Sequence, residues 1–150
     1  GKVGVPDSIL LKPGKLTKEE FDEMKVHTII GAETLREVNR LHSGNDFVRT
    51  GIEIAESHHE KFDGTGYPHG LAGEEIPLVG RILALSDVYD ALTSKRCYKE
   101  AFSHTRSHDI IVEGRGKHFD PNVVDAFVSS GKEFLGIRGR YVDAEHEVTS

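Results

Sequence analysis

Apolar residues recur along this chain at three- and four-residue spacing, with little two-residue alternation, so the pattern predicts helices and almost no strands. Thr17-Lys18-Glu19-Glu20 reads as a capping box, in which the Thr17 hydroxyl takes the Glu20 amide and the Glu20 carboxylate returns to the Thr17 amide. Phe21 and Met24 begin the apolar face of the helix that follows, and His27 falls at its end. Ile29, Ile30, Leu35, Val38 and Leu41 outline a second helix, broken by His42-Ser43-Gly44-Asn45. Val48, Ile52, Ala55 and His59 share one face of a third. That puts His59 at a core edge, with His58 about 100° round the helix on its flank.

A long loop then runs from 60 to 76. Pro77 suits the first turn of a fourth helix reaching about Ser94, with Leu78, Ile82, Leu85, Tyr89 and Leu92 as core candidates. A fifth helix covers Ser103 to Glu113 and stops at Gly114 and Gly116. Asp120-Pro121 caps a sixth, carrying Val123, Val124, Phe127 and Val128, with Gly131 as its stop. From Lys132 the periodicity fades, and 141–150 reads as a solvated tail. The pattern predicts an all-α bundle over residues 1–131, followed by an extension over 132–150.

Composition narrows the partners. Over 150 residues the formal net charge is −6, which argues against a nucleic-acid polymer, whose binding rests on many phosphate neutralisations. The single cysteine, Cys97, leaves no intrachain disulfide framework and suits the cytosol. No stretch approaches the roughly 20 apolar residues of a membrane span.

The candidate chemistry lies in Ser57-His58-His59-Glu60-Lys61-Phe62-Asp63-Gly64-Thr65-Gly66-Tyr67-Pro68. Adjacent histidines run into a glycine-rich turn stiffened by a proline, the makings of a metal centre with a shaped rim. Taken alone, such a pair serves equally as unliganded surface histidines. His27 is a third imidazole. Asp87 sits in the apolar run 83–92, where a carboxylate needs a cation, a donor set or a metal; the alternative is a polar face shared with Asp90.

These segments, together with Gly1-Lys2-Val3-Gly4-Val5-Pro6-Asp7, Leu11-Lys12-Pro13-Gly14-Lys15-Leu16-Thr17, Met24-Lys25-Val26-His27, Gly70-Leu71, Glu75-Ile76-Pro77, Arg81-Ile82, Asp87-Val88-Tyr89-Asp90-Ala91-Leu92-Thr93-Ser94 and His118-Phe119-Asp120-Pro121, closely resemble the HD-GYP branch of the HD-domain phosphohydrolases. The resemblance covers about residues 1 to 130 in order. It implies an HD-domain-like helical bundle with a long loop bearing Gly66-Tyr67-Pro68. It also implies two or three divalent metal ions, iron or manganese, and hydrolysis of cyclic di-GMP to a linear dinucleotide or GMP. His27, His58, His59 and Asp87 are the implied metal ligands, Lys2, Arg96 and Lys99 the implied phosphate contacts, and Lys2, reaching the scissile phosphate, the implied catalytic residue. Without the motif, 95–99 would read as a solvated basic helix end. Cys97 departs from the proline usual in that segment, which leaves the backbone there less constrained.

The name-giving His-Asp pair of the family stands immediately before an Ile-Gly-Lys type segment, and the chain begins at Gly1-Lys2. The expectation is a domain shortened at its N-terminus and inactive or nearly so as it stands. His108-Asp109 spells the same dipeptide within a later helix, where a helix-surface pair is the simpler reading. Glu60 is expected to orient a ligand imidazole, and Tyr67 to hold the loop. Two other functions stay open: a phosphohydrolase of other cyclic dinucleotides, and a non-catalytic module whose loop binds a diguanylate cyclase domain. An upstream response-regulator or sensor domain is a further expected partner.

Overall fold

The computed structural model describes residues 1–42, 44–94 and 101–137. The helices among them are α1 (Asp7–Leu10), α2 (Lys18–Lys25), α3 (His27–Leu41), α4 (Asp46–Ser57), α5 (Leu78–Thr93), α6 (His104–Glu113) and α7 (Pro121–Ser129), with a further helical stretch at 131–137. Short 3-10 turns occupy Lys2–Gly4 and Gly73–Glu75, and no strand occurs among the described residues. The fold is all-α, as the hydrophobic spacing predicts.

Capping sets the helix starts. The Thr17–Glu20 box is present in both directions. Asn45 takes the Phe47 and Val48 amides at the head of α4, Ser103 takes the Arg106 amide, and Asp120 takes the Asn122 amide with Pro121 at the first helical position. The α2–α3 junction differs from the sequence reading. Helix α2 ends at Lys25, and His27 opens α3 instead of closing α2. Likewise α4 ends at Ser57, so His59 stands just past the helix rather than on its face.

Helices α3 and α4 form an antiparallel hairpin, and α5 lies against α4. Gly80 makes that approach possible, because a Cβ there would collide with the Ser57 hydroxyl. The close approach at Gly80 turns the buried stripe of α5 to Gly80, Ala84, Leu85, Tyr89 and Thr93, away from the expected Leu78 and Ile82. Leu78 and Ile82 are therefore 54% and 47% exposed, while Leu85 and Tyr89 are buried.

The main core joins Leu85 and Tyr89 to Ile111, Phe119, Val124 and Phe127. A buried ion pair from Arg81 to Asp120 ties α5 to the head of α7. Gly131 does not stop the helical path: its φ is not left-handed, and 131–137 is helical. The Phe134 ring meets Phe127 at 4.8 Å and Tyr89 at 5.3 Å, so the core reaches beyond residue 131.

Candidate metal centre

Three imidazoles converge where the start of α3 meets the end of α4. One ring nitrogen from each of His27, His58 and His59 lies within 4.8 Å of the other two, the only such group of three or more ligand-type side chains among the described residues. The tautomers follow from their partners. His27 Nδ1 donates to the Met24 carbonyl at 2.7 Å, and His58 Nδ1 donates to the Ile54 and Ala55 carbonyls at 2.9 and 3.1 Å. A carbonyl can only accept, so both Nδ1 atoms carry the proton, and in the neutral rings each Nε2 presents a lone pair. Those two Nε2 atoms face one another at 3.4 Å.

The His59 ring is sandwiched between two others. It stacks on Tyr67 with centroids 4.8 Å apart and lies 4.1 Å from the His58 ring. Burial, reinforced by the His58 and His27 imidazoles and the Lys2 ammonium, holds His59 down at about 3. Burial also lowers His27, against the opposing Met24 carbonyl, with His58 and Lys2 adding to the drop. Lys2 thus stands close enough to act on two of the three rings. Asp87 is exposed and lies outside the three-histidine group. Its charge still reaches Tyr67, whose phenol is pushed up to about 12 by burial and then by that carboxylate.

The loop beside the cluster is built on one carboxylate. Glu60 is 1% exposed and accepts from the His69, Gly70 and Leu71 amides at 2.7, 3.1 and 3.1 Å. The expectation that Glu60 orients a ligand imidazole is corrected here, since main-chain carbonyls fill that role and Glu60 is committed to the turn. Gly66 is required because a Cβ would fall on the Lys61 amide and the Glu60 Cα as the loop folds back. The Tyr67 amide donates to the His59 carbonyl at 3.2 Å, and the Tyr67–Pro68 peptide is cis. Tyr67 holds the loop against His59, in keeping with its expected role.

Of the other sequence candidates, Arg96, Cys97 and Lys99 lie outside the described residues. His108 and Asp109 sit on α6, where the His108 ring packs against Phe127 at 5.7 Å. Two further residues stand next to the cluster. Phe21, expected to begin an apolar face, is instead 44% exposed and meets the Tyr67 ring edge-on at 5.9 Å. Lys25 stands over both rings. Their four-residue spacing on one helix was the available signal.

Known proteins resemble this chain in sequence and in fold. A family model described as an HD domain matches residues 1–123. A cyclic di-GMP phosphodiesterase of Vibrio cholerae is 57% identical over 96% of the chain and 29% of its own length. A cyclic di-GMP phosphodiesterase response regulator of Xanthomonas campestris is 46% identical over 96% of the chain and 37% of its own length. A 3'3'-cGAMP-specific phosphodiesterase of V. cholerae is 41% identical over 95% of the chain and 26% of its own length. The chain therefore spans about a third of the length of these curated relatives. A crystal structure of a cyclic GMP-AMP-specific phosphodiesterase of V. cholerae shares the fold at a TM-score of 0.50 and 21% identity, over 93% of this chain and 35% of that one. The helical frame, the histidine cluster, the Gly66-Tyr67-Pro68 loop and these matches agree, and the chain belongs to the HD-domain family, in its HD-GYP branch.

Proposed function

We propose that this chain serves a metal-dependent phosphodiesterase that opens cyclic di-GMP, in a cytosolic signalling setting. The observation that carries the reading is the pair of Nε2 atoms facing at 3.4 Å with both Nδ1 atoms committed to carbonyls. Two lone pairs so placed repel unless a cation lies between them. Imidazole–metal bonds of about 2.1 Å meeting near the tetrahedral angle separate their nitrogens by about 3.4 Å. The donor set fits a divalent transition metal, for which imidazole is the usual ligand.

His27, His58 and His59 would hold the metal, with Asp87 supplying a carboxylate and iron or manganese as the expected ions, two or three in number. When bound, such ions polarise phosphoryl oxygens and make a water acidic enough to attack phosphorus at neutral pH. The chain's own groups prepare the site. The carbonyl-tethered rings keep their lone pairs inward, Tyr67 and burial exclude water from one side of His59, and Lys2 brings a positive charge that suits a phosphodiester. Arg96 and Lys99 are proposed as further phosphate contacts.

The test is manganese- or ferrous-dependent binding of cyclic di-GMP by the chain, measured by calorimetry, with hydrolysis products resolved by chromatography as linear dinucleotide or GMP. His58→Ala should abolish metal-dependent binding. Arg96→Ala and Lys99→Ala should weaken it while metal content holds. Cyclic di-GMP binding that ignores both metal and His58 would overturn the reading. The 41% identity to a relative named for 3'3'-cGAMP makes that dinucleotide the second substrate for the same assays.

A further inference from the structure

Phe21, Asp22 and Lys25 lie together on α2, with the Tyr67 ring between Phe21 and the histidines. The Phe21 ring meets Tyr67 at 5.9 Å and 84°, and Tyr67 is stacked on His59 at 4.8 Å and 29°. The Lys25 ammonium stands 4.9 Å from the centre of the Phe21 ring and donates to the Asp22 carboxylate at 2.6 Å. Helix α2 buries none of its residues, and Phe21, its sole aromatic, is 44% exposed. The ring is thus held at the surface beside the site instead of filling a core.

An aromatic face, a carboxylate and an ammonium in one cluster are the groups that recognise guanine. The face stacks on a purine, the carboxylate accepts from N1–H and the N2 amino group, and the ammonium donates to O6 and N7. Adenine offers an acceptor at N1 and a donor at N6, so the same carboxylate faces a lone pair. Admitting a base moves Lys25 off the Phe21 ring and off Asp22, which costs little because exposed cation–π contacts and surface ion pairs are weak. Two ring-to-ring steps separate Phe21 from the histidines, the reach of one nucleotide from its phosphate to its base.

Resting on the phosphodiesterase reading above, we infer that Phe21, Asp22 and Lys25 form the seat for one guanine base of a cyclic dinucleotide whose phosphodiester lies at the histidine cluster. The seat fixes which end of a mixed dinucleotide enters there.

The sequence has no tryptophan, so Phe21→Trp places a single indole in the seat. With manganese present, cyclic di-GMP should quench its emission to saturation, and cyclic di-AMP at the same concentration should not. Calorimetry on the wild-type chain should show a preference for cyclic di-GMP over cyclic di-AMP. Asp22→Asn and Phe21→Leu should each cut that preference about tenfold. A merely structural role would lower both affinities alike and leave the ratio standing. Cyclic di-GMP binding with unchanged indole emission, and with the ratio retained in Asp22→Asn, overturns the seat and leaves the phosphodiesterase reading intact. No manganese-dependent cyclic di-GMP binding by the wild-type chain overturns both.

Discussion

His27 and His58 sit on different helices, yet their Nε2 atoms point at each other across 3.4 Å while their Nδ1 atoms are turned to main-chain carbonyls. Neither ring can swing away without breaking a hydrogen bond to its own backbone. The geometry suits the ion proposed to lie between them.

Metal binding should follow that geometry. His27→Ala and His58→Ala should each reduce manganese affinity by tenfold or more, read by equilibrium dialysis with elemental analysis. Asp87→Ala should reduce the number of ions bound. Unchanged stoichiometry and affinity in His58→Ala would contradict the assignment.

Acid should destabilise the metal-free chain before its carboxylates titrate. Burial holds His27, His59 and His118 below their ordinary 6.5 in the folded state. Unfolded, each takes a proton as the pH falls through 6.5, so the unfolded state binds protons that the folded state refuses, and stability drops with pH. With a chelator present, the urea midpoint should be lower at pH 5.5 than at pH 7.5, and His118→Gln should flatten the slope. A midpoint that rises on acidification would refute the sign.

Removing the Glu60 carboxylate should loosen the loop more than a surface change would. Glu60→Ala removes the acceptor of three amides, and because His69 and Gly70 are exposed, water takes over part of the loss and leaves a cost of about 1–3 kcal/mol in all. Thermal unfolding should shift down, and amide exchange at 69–71 should speed up strongly. Protection that survives at those three amides would count against the role.

Gly80→Ala tests the contact between α4 and α5. The added methyl would meet Ser57, whose hydroxyl is already committed to the Glu53 carbonyl. Overpacking of this kind typically costs about 1–3 kcal/mol. The same variant should weaken metal binding, because His58 and His59 follow directly on Ser57. A stable variant with full metal affinity would show that the helices separate freely.

The helices were legible because their signals are local. The capping box at Thr17, the Pro121 start and the spacing of Leu85 and Tyr89 all act within a few residues. The three histidines were likewise identifiable as one site. What the sequence could not reveal depends on where elements meet. His27 opens α3 because Lys25 closes α2, and neither residue type announces that one-residue break. Glu60 turned to its own loop because the chain folds back over Gly66. Phe134 joined the core through rings on α5 and α7, a partnership no sequence window spans.

The carbonyls of Met24, Ile54 and Ala55 that steer the two facing imidazoles belong to the main chain. No side-chain replacement can delete them, so the orienting part of this site presents almost no mutational target and will be silent in any alanine scan. It yields only to changes in backbone path, such as a proline within 24–27 or 54–58, or to an ester in place of a peptide bond. Drift in the sequence can therefore alter what the centre binds and recognises long before it disturbs how its histidines are aimed.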